Sequence, residues 1–326
     1  MYKLNYLNYP QINDLVVPKT LSVQVLSSNV AFESLSENFK SKFDFSSLHT
    51  FSFSKEGFLG LMLELNVDIA VSLGESEAVL QAADLYKSLG FNVTYIGLMP
   101  DGTINYSSIE SIKDEYLFLS SYIIDTFVKV DLKKVKNFFT GTIISNISAT
   151  LDASDCDAAY FDVYKLSGYF THSILLHNGI FKEQNLASID TVGLKLIFDA
   201  VNKEIPNISC KDEFTKVLIQ TLKEDLIFFV DVKATLNNVL HFGLKGIKAR
   251  EVIRNLSLSN IFVTNGEGCS LGLSRPSRII QAMGYTELQS RQALSLSFDK
   301  NLNTDEVLSI VSKIRKSYRQ IKALHG

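Results

Sequence analysis

Cysteine is scarce in this 326-residue chain, which holds only Cys156, Cys210 and Cys269. An odd, widely spaced set offers neither a metal-ligand pattern nor a disulfide framework. Charge of one sign is not concentrated either. Lysine and arginine number 32 against 35 acidic residues, for a net charge of -3. Without a basic block, neither nucleic acid nor an anionic membrane is implied as a partner. No apolar run approaches the ~20 residues that cross a bilayer. The opening MYKLNYLNYPQIN lacks the charged start and apolar block of a signal peptide, so a reducing cytoplasm is the expected home. Internal repeats, low-complexity tracts and long linkers are absent as well.

What is present is ordinary globular material, 46% hydrophobic and 21% charged. The length suggests about two domains. An extended run at Leu21–Leu26 and a helix near Ala31–Phe43 open the chain. His49–Phe53 reads as a strand, followed by the polar turn Ser54-Lys55-Glu56-Gly57 and the apolar run Phe58–Leu65. Strand, tight turn, helix is the arrangement that directs backbone N–H groups at an anion. Residues 67–97 read as strand, helix, strand, with Val79, Ala82, Tyr86 and Leu89 at helical spacing. Further strands are expected at Tyr116–Ile124, Gly141–Ser148 and Ile227–Val230, with helices at Val192–Val201, Cys210–Glu224 and Thr304–Leu324. This alternation predicts a mostly parallel sheet covered on both faces. His172 and His177 fit core-edge positions, and His49, His241 and His325 are isolated. Lys133–Lys136 and Lys313–Arg319 read as solvated helix faces.

One stretch carries candidate chemistry, TNGEGCSLGLSRPSRIIQAMG over 264–284. Cys269 stands in a turn with Asn265, Gly266 and Gly268, small residues that leave a sulfur accessible. The same cysteine also fits a small, partly buried turn residue. Gly266, Cys269, Pro276, Ser277, Ala282, Met283 and Gly284 fall in register on the active-site loop of the cysteine desulfurases. The chain thus resembles the class V aminotransferase family. ESEAVLQAADLYKSLGFNVTYI, with the following Asp101-Gly102, is similar to the family's ring-stacking segment. Residues 155–176, DCDAAYFDVYKLSGYFTHSILL, resemble its lysine segment.

The resemblance implies an α/β fold: a fold-type I, pyridoxal-phosphate-transferase-like large domain with a mostly parallel sheet, plus a smaller α+β domain. The large domain is expected over 14–230 and the small one over 1–13 and 231–326. Residues Tyr6, Leu7 and Asn8 match a remnant of the family's opening segment. The resemblance further implies pyridoxal 5'-phosphate as cofactor and a homodimer whose cofactor cleft lies near the subunit boundary. A sulfur acceptor or an iron–sulfur assembly protein is the implied partner.

By register, Lys165 takes the place of the Schiff-base lysine and Cys269 that of the persulfide-forming nucleophile. Thr150 ends the strand that carries the ring's counter-acid, and Lys55 stands in the phosphate turn. Five other positions depart from the family. The stacking histidine is Ser76, which has no aromatic face. The ring's counter-acid is Ser148, which carries no charge. The substrate arginine is Ser295. Glu56 and Asp162 stand in the phosphate cradle. Two carboxylates within ~4–6 Å of a phosphate would each cost on the order of a kcal/mol at an effective dielectric of ~20. These departures imply impaired or lost catalysis, leaving a pseudoenzyme, a dimer partner or a sulfur-handling protein acting through Cys269. The alternative is an active desulfurase, C–S lyase or aminotransferase using Lys165 and Cys269.

Overall fold

The computed structural model describes residues 1–5, 30–182, 190–203, 207–267 and 275–325. Cys269, the Tyr6–Asn8 remnant and the Leu21–Leu26 run lie outside the described residues.

Tyr2–Lys3 (β1) precedes helix α1 (Val30–Phe43), then β2 (Ser47–Phe51), α2 (Lys55–Leu65), β3 (Ile69–Ser72), α3 (Glu77–Ser88) and β4 (Val93–Ile96). Next come α4 (Tyr106–Glu110), β5 (Tyr116–Phe118), α5 (Leu132–Lys136), β6 (Thr142–Asn146), β7 (Ala158–Tyr160), α6 (Val163–Ser167), β8 (Ser173–His177) and α7 (Thr191–Val201). The central sheet has seven strands in the order β2-β8-β7-β6-β5-β3-β4. Strands β4, β3, β5, β6 and β7 run parallel, and β8 is antiparallel to both of its neighbours. The expected mostly parallel sheet is what forms.

Its strands are apolar on both faces because both are covered. Leu117, Ile143, Ala159 and Leu176 point into one core with Phe39 of α1 and Ile197 of α7. Phe118, Ile144, Tyr160 and Leu175 point into the other with Phe58 of α2 and Val79 of α3. Neighbours in sequence thus feed opposite cores, as the two-residue period of a strand requires.

The strand expected over Tyr116–Ile124 is regular only over Tyr116–Phe118, with the Leu119 and Ser121 N–H groups still donating to the Ile144 and Asn146 carbonyls of β6. Asp125 and Phe127 adopt left-handed backbone, with φ of 70° and 60°. They reverse the chain so that the Ile123 N–H bonds the Val128 carbonyl at 2.8 Å. The reversal delivers Asp125 toward the cavity described below.

A third core holds the rest. Helix α8 (Cys210–Leu222), β9 (Leu226–Ile227), β10 (Val239–Leu244), α9 (Ala249–Ser257), β11 (Ile261–Phe262) and β12 (Ala293–Ser297) enclose it with the C-terminal helix Thr304–His325. Phe214, Leu240, Phe242, Leu294, Ile310 and Ile314 fill this core, and Leu4 joins them from the N-terminus. Both chain ends therefore build one unit. Helix α8, on the large-domain side of the boundary expected at 230, packs with this C-terminal core. The C-terminal helix opens on a reciprocal cap, Asn303 Oδ1 accepting from Glu306 N and Glu306 Oε2 from Asn303 N.

Candidate functional site

A cavity of about 830 Å³ lies beyond the carboxyl ends of the parallel strands, between the starts of α2, α3 and α6. Open parallel sheets place ligands at this end.

The turn leading into α2 forms as its residue types predict. The Ser54 hydroxyl accepts from Gly57 N at 3.3 Å and receives Ser52 Oγ–H at 3.1 Å. Gly57 is required by space, because a Cβ there would stand 1.9 Å from the Ser52 carbonyl oxygen. Lys55 and Glu56 follow, both lining the cavity, and pair at 3.7 Å. The Glu56 carboxyl is held below the usual range by its own backbone N–H first, then by Ser54 and Lys55. Its carboxylate therefore attends the helix start that an external anion would use.

Lys165 sits in α6, its side chain 16% exposed and lining the cavity. Asp162 caps α6, accepting from Lys165 N at 3.1 Å, and its Oδ2 lies 3.9 Å from Lys165 Nζ. Gly168 ends the helix in the left-handed region, with φ of 76°. The ring of Tyr122, fully buried, lies 5.7 Å below the ammonium. Burial opposes charge on Lys165, but Tyr122 and the carboxylates of Asp162, Glu267 and Asp125 override it, and its pKa stands above the ordinary lysine range. A lysine so held is an ammonium, whereas a nucleophilic amine must be neutral.

The hydroxyls of the other sequence-predicted positions are engaged within the fold. Ser76 caps α3, accepting from Val79 N at 3.4 Å. Ser148 Oγ donates to Asn146 Oδ1 at 2.6 Å and accepts from Asp162 N at 2.6 Å. Thr150 Oγ1 donates to Ser121 Oγ at 2.9 Å. Ser295 is buried, bonded to His241 Nδ1 at 2.8 Å and donating to the Asp125 carbonyl at 3.2 Å. Lys165 and Lys55 thus reach the cavity together, while Ser76, Ser148 and Thr150 serve the walls behind it.

Three acids near the site were not singled out by sequence reasoning. Glu267 lines the cavity and caps the start of α3, accepting from Glu77 N with both oxygens at 3.0 and 2.9 Å. Arg278 stands 4.0 Å from it. Burial pushes the Glu267 carboxyl up to about 7, against the pull of Lys165 and Arg278. Asp125 accepts from Glu267 N at 2.6 Å and from Ser277 Oγ at 2.8 Å. Gly266, with φ of 115°, makes room for it, since a Cβ there would stand 2.4 Å from Asp125 Oδ1. Glu75 is wholly buried beneath α3, with Ser120 Oγ, Tyr160 OH and Ser76 N on one carboxyl oxygen. Its other oxygen has no partner, and burial raises its pKa. A signal for Glu267 was available: an acid two residues before Cys269, inside the glycine-rich turn.

The remaining bases of the cavity are also matched. Arg275 bonds Glu77 Oε1 at 2.9 Å, and His172 Nδ1 stands 3.5 Å from Asp190 Oδ2. Among the described residues, each basic side chain lining the cavity therefore has a carboxylate of this chain beside it.

No protein-family profile matches the chain. The curated cysteine desulfurase IscS of Clostridium botulinum (strain Kyoto / Type A2) is 23% identical over 288 residues, covering 77% of this chain and 72% of that one. A solved NifS-like protein superposes with a TM-score of 0.72 at 15% identity, over 95% of this chain and 98% of that one. The NifS-like protein of Rickettsia africae gives 0.69 at 13% identity, over 97% and 99%. Along three quarters of its length the chain is similar in sequence to a curated cysteine desulfurase, and along nearly all of it the chain shares the fold of the NifS-like proteins.

Proposed function

We propose that this protein is a cysteine desulfurase-like pseudoenzyme, in which catalysis through pyridoxal 5'-phosphate is lost or severely impaired. One observation carries the reading: every basic side chain lining the cavity has a carboxylate of this chain beside it, the start of α3 already holds the Glu267 carboxylate, and Glu56 stands at the start of α2. A phosphate dianion would meet no uncommitted cation there, and an exposed or buried acid stands at each helix start it would need. The ring of the cofactor fares no better. Its nitrogen requires an acid at Ser148, whose hydroxyl is spent on Asn146 and Asp162. The residues present do not fit the cofactor.

In this reading the protein acts as a cytoplasmic homodimer or dimer partner, or handles sulfur through Cys269 toward an acceptor such as an iron–sulfur assembly protein. The competing reading is an active pyridoxal-phosphate desulfurase, C–S lyase or aminotransferase. It draws on one feature, the side chain of Lys165 reaching the cavity.

Absorbance separates the two. The purified protein is expected to lack a visible band and to gain none with added pyridoxal phosphate. A band that appears in the native protein and vanishes in Lys165→Ala would establish the enzyme instead. A sulfur-carrier role predicts faster reaction of Cys269 than of Cys156 or Cys210 with a persulfide donor, and equal labelling of all three would remove it. Both comparison thiols are buried, and burial pushes them up, Cys156 to about 12.

A further inference from the structure

Glu267 lines three adjoining spaces. They are the 830 Å³ cavity, a second of about 240 Å³ beside Arg278 and Gln281, and a small one of about 30 Å³ beside Lys165. Its side chain is therefore the partition between them. Both its oxygens accept from the first N–H of the twelve-residue α3, Arg278 stands 4.0 Å away, and its backbone N–H is pinned by Asp125. Arg278 is itself anchored, donating to the carbonyls of Leu73 and Glu75. The carboxylate is thus fixed from both ends, in a place where a helix start, a guanidinium and a lysine converge.

We propose that Glu267 is a built-in counter-anion, an internal occupant that closes this end of the cavity to any external anion. The proposal deepens the reading of lost cofactor chemistry and rests on it, naming the side chain that enforces the loss. It has two consequences. Without the charge of Glu267, the convergence of α3, Arg278 and Lys165 becomes open to a small oxyanion. Lys165 also loses one of the carboxylates that keep it an ammonium, and its amine becomes more reactive.

The test is reductive methylation of the full-length protein with formaldehyde and borohydride at about pH 9, above the value of about 7 for the Glu267 carboxyl so that it is ionised, with the rate at each lysine read by mass spectrometry. Formaldehyde carries no charge, so it reports the amine without needing an anion site. Glu267→Gln is expected to speed Lys165 severalfold, with exposed lysines such as Lys55 unchanged. Millimolar inorganic phosphate should then slow Lys165 in Glu267→Gln and leave the native protein unaffected. Glu267→Asp keeps the charge and should retain the slow rate. Equal Lys165 rates in native protein and Glu267→Gln, with both blind to phosphate, overturn the proposal. So does Glu267→Asp labelling as fast as Glu267→Gln, which would mark a loosened wall in place of a lost charge. A melting scan on each variant separates misfolding from the effect sought, and Glu267→Asp then serves as the folded comparison. Failure here is distinct from failure of the functional reading. A chromophore on Lys165 of the native protein sinks the latter, whereas the labelling rates and their phosphate response judge Glu267 alone.

Discussion

At the scale of single residues, burial with unpartnered ring nitrogens sets two histidines, His177 and His241, apart. The His177 ring is fully buried, and neither of its nitrogens has a hydrogen-bond partner. It packs 4.8 Å from His49, which sequence reading took as isolated, and 5.3 Å from Phe181. The pairing across β2 and β8 that joins them joins residues far apart in sequence. Burial, then the neighbouring His49, lowers the His177 pKa to about 4. His241, whose Nε2 is likewise unpartnered, is pushed by burial to about 3. An unfolded histidine binds its proton near pH ~6.5. The unfolded chain therefore takes up protons that the folded one refuses as pH falls below that value, and stability is lost on acidification. For His177 the loss runs from about 6.5 down to about 4 and amounts to at most about 3 kcal/mol. His177→Leu should be neutral or stabilising at pH ~7 by up to about 1 kcal/mol, because it removes two unsatisfied nitrogens. Urea melts at a series of pH values check this. A native-like acid dependence in His177→Leu would show that other groups carry the window.

At the scale of elements, two joints hold the architecture. The first is the Ser52–Gly57 turn, where strand β2 passes into α2 with no space for a side chain. Gly57→Ala forces the helix start off the Ser52 carbonyl and should destabilise by about 3 kcal/mol. Chemical denaturation reads the loss, and a change below about 0.5 kcal/mol would mean the turn yields freely. The second joint is Lys211 in the first turn of α8. Its ammonium donates to the Val232 carbonyl at 2.9 Å, Thr235 Oγ1 at 2.8 Å and the Leu236 carbonyl at 2.8 Å. That segment in turn bonds Phe127 and Lys129 of the large sheet's side. Lys211→Ala leaves three acceptors unpaired and should cost about 2–4 kcal/mol. Hydrogen exchange should localise the loosening to residues 232–239, and unchanged protection there would place the role of Lys211 elsewhere. Neither joint was visible beforehand as a joint. The sequence showed the polar turn and the start of α8, but the 1.9 Å approach and the carbonyl cage need coordinates.

At the scale of the whole molecule, the resemblance implies two copies with the cavity near their boundary. Light scattering is then expected to return twice the chain mass of 36.4 kDa. Phe170, 75% exposed and stacked 4.4 Å from Tyr164 on the cavity rim, is the side chain to change. Phe170→Asp should shift the protein toward monomer if the rim is covered by the partner. A native protein that is already monomeric sinks the expectation outright.

The sheet was legible in the residues. Alternating apolar runs with helical stretches between them can satisfy burial on both faces in few ways, so composition and period determined the parallel α/β core. Lys165 was singled out through the register of its segment, and its side chain lines the cavity. What the tertiary structure alone decided is the electrostatic state of that cavity. Asp125, Asp162 and Glu267 come from segments up to 142 positions apart along the chain. A backbone reversal at Asp125 and the absence of a side chain at Gly266 bring them to one lysine. Charge acts through distance in space, and a linear sequence carries no record of those distances.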